Sequence, residues 1–324
     1  MNKDLWSEDL REDFATYSSW NRILTGAPNP VEQAMIKRNK VINDFLRKKY
    51  ADLIEKYSTM TFDEKTCPKI APEDYKIFYC WLQGEESLPP LARCCYNSWK
   101  MNAGNREIVF INEKNLSDYV DLPEHIMKKF RTGGITRAHF ADILRVNLLE
   151  RYGGLWLDAT ILVTEPLDNY KEFWELPYFT QTYTHEKSKY AGSRACASYS
   201  RWGSYAQGTN IRHNPLFTFV RDIYYEYWRD FDELIDYLLF DCMMNLAYDN
   251  IPFVKQEIDA VPINNTKVGV LASRLALPYN SLEFDNILKD NFLHKVSAKL
   301  NFDTQKEGTF FKEIQRRYAP ETLK

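Results

Sequence analysis

The ten residues 151–160, with the sequence Arg-Tyr-Gly-Gly-Leu-Trp-Leu-Asp-Ala-Thr, constrain the fold more than any other part of the chain. A helix capped by Thr136 is expected to stop at Gly153, because glycine is the usual residue just beyond a helix end. Leu155 then begins a short apolar strand that ends abruptly at Asp158. Ligands of α/β sheets bind outside the carboxyl ends of the strands. The segment therefore predicts a buried strand that delivers a carboxylate to a binding site.

Short apolar runs alternate with amphipathic segments after residue 67, a pattern that is typical of an α/β sheet. A strand, a helix and a second strand are predicted at residues 77–82, 91–99 and 107–111. Further strands are predicted at residues 155–158, 177–184 and 197–207. Further helices are predicted at residues 123–130, 215–228 and 232–248. The pattern indicates one α/β domain over residues 67–324.

Residues 1–66 are charge-dense and helix-prone, so they are predicted to form an N-terminal helical extension. Asn29, Pro30 and Glu32 combine an N-cap, a first-turn proline and a capping-box partner, which marks the start of a long helix. Apolar residues then recur at helical spacing and form one stripe, which is expected to pack against the rest of the protein. The stripe consists of Met35, Ile42, Leu46, Tyr50, Leu53 and Tyr57.

A basic run covers residues 37–49 of the same predicted helix. Asp44 is the single acid in this run, which contains six basic residues: Lys37, Arg38, Lys40, Arg47, Lys48 and Lys49. Two interpretations are open. The run is either a solvated helix face or a contact with an anionic membrane surface or acceptor, which would give peripheral membrane binding through residues 30–57.

Charge and cysteine content limit the class of protein. The chain has 42 basic and 45 acidic residues and a net charge of −3, so no global field attracts nucleic acid, and no nucleic-acid partner is expected. Its six cysteines show no C-x-x-C spacing, which favours reduced thiols over a disulfide or zinc framework. The first residues lack a secretory apolar region and no segment is apolar enough to span a bilayer. We expect a cytoplasmic protein, with the inner face of the cell membrane as its place of peripheral contact.

The helix before the glycine pair carries a polar group. Asp142 and Arg145 are three residues apart and share a helix face, and His139 lies one turn earlier. An exposed ion pair would explain these residues at little gain in stability, whereas a ligand site would use them together with Asp158. A carboxylate followed two residues later by the hydroxyl of Thr160 suits a hard divalent cation that holds a diphosphate.

A further carboxylate interrupts an apolar stripe in the helix predicted at residues 232–248. The stripe consists of Leu234, Leu238, Asp241, Asn245 and Tyr248. A carboxylate in such a position is either paired in the interior or exposed in a cleft. In the second case Asp241 is a candidate catalytic residue that contacts the acceptor or the donor sugar.

Four segments, in order, resemble the bacterial capsular polysaccharide synthesis proteins of glycosyltransferase family 32. They are Ile77-Phe-Tyr-Cys-Trp-Leu-Gln-Gly84, Ala141-Asp-Ile-Leu-Arg145, Tyr152-Gly-Gly-Leu-Trp-Leu-Asp-Ala-Thr160 and His294-Lys-Val-Ser-Ala-Lys299. The resemblance spans roughly residues 70–300 and is most specific in the second and third segments. It implies a GT-A fold, the Rossmann-like α/β fold of nucleotide-diphospho-sugar transferases, whereas the helical extension before it rests on composition alone.

The resemblance also implies roles for individual residues in substrate binding. Trp81 would stack on the nucleotide base, although a core position would also explain a tryptophan at a strand end. Gln83 and His139 would lie at the substrate. Asp142 and Arg145 would contact the hydroxyls and the phosphate of the sugar donor, because a carboxylate accepts hydrogen bonds from hydroxyls and a guanidinium donates two in parallel.

A metal site follows from the same resemblance. Asp158 matches the first acid of the Asp-x-Asp motif, which binds ribose and metal, so it is a candidate for both catalysis and metal binding. Thr160 stands at the second acid and is a weaker ligand than a carboxylate. His294 would complete the metal site and Lys299 would hold the diphosphate, unless both belong to an exposed polar loop. The expected cofactor is Mn²⁺ or Mg²⁺.

These expectations combine into one function. The resemblance implies a retaining glycosyltransferase that moves a hexose, glucose or galactose, from a UDP-sugar to a glycan acceptor. The expected acceptor is a capsular or surface polysaccharide repeat unit linked to a lipid such as undecaprenyl diphosphate. Two alternatives remain at this point: a toxin-like glycosyltransferase that modifies a protein, and a sugar-nucleotide-binding protein that has lost catalysis because Thr160 replaces the second acid.

Overall fold

The computed structural model describes residues 30–182, 197–198, 201–299 and 301–323, with only the backbone described for residues 30–35. The helices are α1 (Pro30–Lys49), α2 (Ala51–Thr59), α3 (Pro90–Asn102), α4 (Leu116–Tyr119), α5 (Glu124–Arg131), α6 (Arg137–Tyr152), α7 (Glu172–Glu175), α8 (Pro215–Asp230), α9 (Leu239–Asn250), α10 (Pro252–Asp259), α11 (Ser281–Leu288) and α12 (Phe310–Tyr318). The strands are β1 (Ile77–Cys80), β2 (Ile108–Ile111), β3 (Gly154–Leu157), β4 (Ile161–Val163), β5 (Phe179–Thr180), β6 (Ala206–Thr209) and β7 (Leu293–Lys295).

A five-stranded sheet in the order β2-β1-β3-β6-β5 forms the centre of the protein. Strand β1 is parallel to both β2 and β3, with Ile77 opposite Ile108 on one side and Leu155 on the other. Strand β6 is antiparallel to β3 and to β5, so four of the five strands run in one direction. Buried apolar residues cover both faces of the sheet. The predicted mixed α/β architecture is confirmed.

The predicted elements around the glycine pair are confirmed, whereas two predictions further along the chain are wrong. The strand expected at residues 197–207 begins only at Ala206, and residues 197–198 form a turn. The helix expected from residue 232 begins at Leu239, because Asp236 accepts the backbone N–H of Leu238 through Oδ1 (2.7 Å) and forms an ion pair with Arg38. Of the strand predicted at residues 177–184, residues 179–180 are extended and residues 183–184 lie outside the described residues.

A two-stranded sheet joins the middle of the chain to its last third. Strand β7 pairs antiparallel with β4, with Ile161 opposite Lys295 and Leu162 opposite His294. The backbone N–H of Val296 donates to the carbonyl of Thr160 at 2.9 Å. This pairing places residues 293–296 directly beside the turn that follows β3.

Helices α1 and α2 share a hydrophobic core with α8 and α9. Ile42 and Leu46 are fully buried, and the ring of Tyr57 makes an edge contact with Phe219 at 5.3 Å. Most of the predicted stripe is therefore an interior face. Leu53 is only half-buried, and the side chain of Met35 and the predicted N-cap at Asn29 lie outside the described residues.

Part of the basic run attaches helix α1 to the rest of the protein. Arg38 is buried and forms an ion pair with Asp236. Lys49 lies 2.8 Å from Asp230, at the end of α8. The four other basic residues of the run are exposed: Lys37, Lys40, Arg47 and Lys48. Among the described residues, no helix combines the length and apolar character needed to cross a bilayer.

The glycine pair holds β3 close to β1. Gly154 has a φ of +95°, and a Cβ atom there would collide with the backbone carbonyl of Lys76. That carbonyl accepts the N–H of Leu155 at 2.8 Å, which is a bond of the sheet. Only glycine allows both the backbone conformation and this close approach.

Gly154→Ala is expected to lower the free energy of unfolding by about 2 kcal/mol or more, because it adds a backbone collision to a strained positive φ. Urea denaturation of the purified protein measures the change. Gly84→Ala is the matched control, since Gly84 has a φ of +92° and open space where its Cβ would be. Equal losses in the two variants would contradict the packing role given to Gly154.

Candidate functional site

A cavity of about 500 Å³ opens at the carboxyl ends of β1 and β3, between the first turns of α6 and α9. It gathers most of the residues that the sequence predicted for a site. Nine of the ten line its wall: Trp81, Gln83, His139, Asp142, Arg145, Asp158, Thr160, Asp241 and Lys299. Residues separated by up to 218 positions in the chain thus meet at one edge of the sheet.

Arg145 is the centre of a charged network in this cavity. Arg145 is 3% exposed. Its Nη2 donates to Oδ1 of Asp142 at 3.0 Å and to Oδ1 of Asp158 at 3.2 Å. The guanidinium also lies 4.6 Å from the ring centre of Phe240. Helix α6 fixes the position of Arg145 because it ends at the glycine pair, and β3 brings Asp158 back alongside it. Of the two alternatives for Asp142 and Arg145, the exposed ion pair is wrong, because both residues belong to a partly buried network at the ligand edge of the sheet.

Asp158 is held as an ionised carboxylate. Its Oδ2 accepts from Nζ of Lys295 at 2.7 Å, and its Oδ1 accepts from Nε1 of Trp156 at 3.1 Å as well as from Arg145. Burial alone would raise the pKa of Asp158, but Lys295 and Arg145 lower it to about 2. The carboxylate is negatively charged at every pH at which the protein is expected to work.

The other two carboxyl groups behave differently. Burial raises the pKa of Asp142 to about 7, against the opposing effect of Arg145 and with further upward shifts from Asp158 and Asp241. Burial likewise raises the pKa of Asp241 to about 6, although Nε1 of Trp202 donates to it at 2.8 Å. Asp241 combines the two alternatives left open by the sequence, because it is buried and hydrogen-bonded and also lines the cavity. Both groups exchange protons near neutral pH.

The mouth of the cavity is aromatic. The indole of Trp81 is half-buried where β1 ends, and its Nε1 donates to Oγ of Ser87 at 2.9 Å. His139 contacts Oγ1 of Thr136 through Nδ1 at 2.7 Å, and burial lowers its pKa, so the ring is neutral. The ring of Tyr237 stands edge-on to His139 at 5.2 Å and is 60% exposed. The sequence pattern predicted a helix around Tyr237, whereas this residue lies in a turn before α9.

His294 is the one predicted site residue that the structure does not bring to the cavity. The ring is fully buried behind β4, and its Nε2 lies 3.1 Å from the carbonyl of Asn291 and 3.2 Å from Oγ1 of Thr164. Burial lowers its pKa to about 4, so the ring is neutral at pH 7. The expected role as a metal ligand beside Asp158 is corrected, since successive residues of a strand point to opposite faces and His294 faces the interior.

Lys295, rather than the predicted His294, contacts Asp158. Its Nζ donates to Oδ2 of Asp158 at 2.7 Å and to Oγ1 of Thr160 at 2.9 Å. Alternation along a strand indicates only that His294 and Lys295 cannot both face the same side. Lys299, the predicted diphosphate contact, is exposed and lines the cavity.

The expected divalent cation does not fit this set of side chains. Both atoms predicted to hold it, Oδ2 of Asp158 and Oγ1 of Thr160, accept hydrogen bonds from the ammonium of Lys295. The remaining Asp158 oxygen accepts from Arg145 and Trp156. In the part of the chain that the structure describes, no three His, Cys, Asp or Glu side chains are grouped as metal ligands.

The sequence model of the capsular polysaccharide synthesis protein family matches residues 25–314. The match includes every residue of the charged network and both N-terminal helices that the structure describes. The chain therefore belongs to the capsular polysaccharide synthesis protein family. Neither the comparison with curated proteins nor the comparison with solved structures found a match.

Proposed function

We propose that this protein is a GT-A type glycosyltransferase that moves a hexose from a UDP-sugar to a glycan acceptor with retention at the anomeric carbon. The observation that carries the proposal is the network of Asp142, Arg145, Asp158 and Lys295 at the carboxyl edge of the sheet. Membership of a capsular polysaccharide synthesis family supports a transferase of this kind. The choice of UDP, of glucose or galactose and of retention rests on the resemblance of the sequence segments.

The network has the chemistry that a sugar nucleotide requires. Asp142 and Asp158 offer carboxylate oxygens to sugar and ribose hydroxyls, and Trp81 offers a flat ring to the base. In the transfer, the bond from the anomeric carbon to the β-phosphate oxygen breaks and its electron pair stays on that oxygen. The acceptor hydroxyl oxygen bonds to the anomeric carbon, and its proton passes to the departing phosphate. Arg145, Lys295 and Lys299 stabilise the charge that develops on the diphosphate.

Asp241 lies across the cavity from β1, on the first turn of α9. We assign it to the sugar or to the acceptor rather than to the diphosphate, because a carboxylate beside the phosphates would repel them. Its hydrogen bond from Trp202 fixes the carboxyl group, and a pKa of about 6 lets it accept a hydrogen bond from a hydroxyl at neutral pH.

The acceptor that we propose is a lipid-linked polysaccharide repeat unit at the inner face of the cell membrane. The exposed Lys37, Lys40 and Lys48 of α1 lie on a helix whose opposite face is buried against α9. An exposed basic face attracts anionic lipid headgroups. In this proposal the protein is cytoplasmic and binds the membrane peripherally.

The deciding experiment is a panel of sugar nucleotides that carry different bases and hexoses. Purified protein is incubated with each, and slow donor hydrolysis and thermal stabilisation are both measured. A UDP-hexose is expected to give the largest response in both measurements. Hydrolysis also separates an active transferase from a protein that only binds sugar nucleotides. Absence of any response across the panel would overturn the proposal.

Trp81→Ala is expected to weaken UDP binding by about 1–3 kcal/mol, the usual contribution of a base stacked on an aromatic ring. Calorimetric titration with UDP measures this loss. Trp174→Ala is the matched control, because Trp174 is also half-buried and hydrogen-bonded through Nε1 but lies outside the cavity. The control should lose stability and keep its affinity for UDP. A Trp81→Ala variant that loses only stability would show that Trp81 is a core residue.

A further inference from the structure

We propose that the ammonium of Lys295 replaces the divalent cation of this site, so that donor binding and transfer proceed without metal. The inference rests on the proposed function, because it concerns the diphosphate of a nucleotide donor. It starts from the two atoms that the sequence pattern offers to a metal, Oδ2 of Asp158 and Oγ1 of Thr160. Both already bind one cation, which is supplied by the chain itself.

The position of Lys295 is built into the fold. Its residue ends strand β7, which pairs with β4, and its backbone N–H donates to the carbonyl of Val268 at 2.8 Å. The next residue, Val296, donates to the carbonyl of Thr160. Backbone hydrogen bonds therefore fix Lys295 to Val268 on one side and, through Val296, to Thr160 on the other.

Lys295 and its partner Asp158 are both partly exposed, and Asp158 and Thr160 line the cavity. The side chain of Lys295 is 31% exposed, and that of Asp158 is 30% exposed. An ammonium has three N–H donors, of which Asp158 and Thr160 use two. The third is available to an oxygen of a bound diphosphate. Lys295 can thus bridge protein and phosphate in the same way as a metal ion bound between them.

Electrostatics oppose a metal ion in the same place. A dication at Asp158 would face Lys295 and Arg145, which lie within 3.2 Å of the same carboxylate. This turn supplies one carboxylate and a neutral hydroxyl, so a Mg²⁺ ion here would need the phosphates of the donor as further ligands. Two side-chain cations instead balance the charge of Asp158 and leave positive charge for the leaving diphosphate.

Calorimetric titration of UDP tests the inference, first in chelator and then with Mg²⁺ or Mn²⁺. GDP, ADP and CDP are titrated in the same buffers, so that the test does not depend on uridine being the base of the donor. The wild-type dissociation constant is expected to differ by less than about threefold between the buffers. Lys295→Ala should weaken binding in chelator by about tenfold or more, the loss expected for a charge-assisted hydrogen bond. Lys295→Arg should retain most of the affinity because it keeps the charge.

Lys289→Ala is the matched control, since Lys289 is an exposed lysine outside the cavity. It should bind UDP as the wild type does. Recovery of binding in Lys295→Ala by added Mg²⁺ would show that the metal can enter once the ammonium is gone.

Two results would overturn the inference while the proposed function stands. The first is a wild-type protein that binds nucleotide only when metal is present. The second is a folded Lys295→Ala variant that binds UDP in chelator with unchanged affinity. Failure of every nucleotide to bind in either buffer would instead overturn the proposed function, and the inference with it. The wild-type comparison needs no variant, so it holds even if a substitution prevents folding.

Discussion

Asp158→Asn is expected to reduce sugar transfer by about 1,000-fold while the protein stays folded. The substitution keeps the shape of the side chain but removes the charge that holds Lys295 at 2.7 Å and Arg145 at 3.2 Å. Both cations would lose the position from which they stabilise the leaving group. Loss of preorganised charge at a reacting centre typically costs a factor of 100 to 1,000 for a single contact. Here the cost should reach the upper end, because one carboxylate orients two cations.

Asp168→Asn is the control for this variant. Asp168 also forms an ion pair, with Arg106, but it is more than half exposed and lies outside the cavity. Transfer rates, circular dichroism and melting temperature are measured for both variants. A folded Asp158→Asn protein with nearly normal activity would remove Asp158 from the site.

Arg145→Met is expected to lower the free energy of unfolding by about 3–5 kcal/mol at pH 8, which is the usual cost of breaking a buried ion pair by removing one partner. Arg145 is 3% exposed and is the cation nearest to Asp142. Asp158 keeps Lys295 as a partner in the variant. The main penalty is therefore expected at Asp142.

The loss should shrink as the pH falls to 5. The pKa of Asp142 is raised in the folded protein from 3.8 to about 7, and removal of Arg145 raises it further. For an acid with a raised folded pKa, the contribution to stability is full below its unfolded pKa and is lost as the pH rises through the folded value. Asp142 is consequently protonated at pH 5 in the variant and needs no cation. Urea denaturation at pH 5 and pH 8 measures the difference.

Arg106→Met serves as the control, because Arg106 pairs with an exposed carboxylate. Its effect should be small and nearly the same at both pH values. The double variant Asp142→Asn/Arg145→Met should recover part of the stability at pH 8. Equal losses for Arg145→Met at pH 5 and pH 8 would contradict the assignment of Asp142 as the group that Arg145 keeps charged.

The local sequence pattern was sufficient to predict those structural features that depend only on residues close together in the chain. The cap at Thr136, the stop at Gly153 and the strand ending before Asp158 all follow from short-range chemistry, and the structure confirms each of them. The glycine pair joins α6 directly to β3. Arg145 and Asp158, which are in contact, are therefore only 13 positions apart in the chain. That part of the site could be predicted.

Long-range pairing explains what the sequence did not reveal. Lys295 reaches Asp158 only because β7 pairs with β4, and no local pattern specifies that partner or decides which of His294 and Lys295 faces Asp158. The helix predicted from residue 232 was wrong for a similar reason, since Asp236 forms an ion pair with Arg38, which lies 198 positions earlier in the chain. Tyr237 consequently stands on a turn at the cavity mouth.

The pairing of β4 with β7 also joins two parts of the chain that are synthesised at different times. Asp158 and Lys295 are 137 positions apart, so closing this contact costs chain entropy that an early, local contact does not. Synthesis proceeds from the N-terminus, and domains begin to form before it ends. Asp142, Arg145 and Asp158 lie within 17 residues of one another and are synthesised long before Lys295. The docking of β7 then adds Lys295, the second cation of the network, to Asp158.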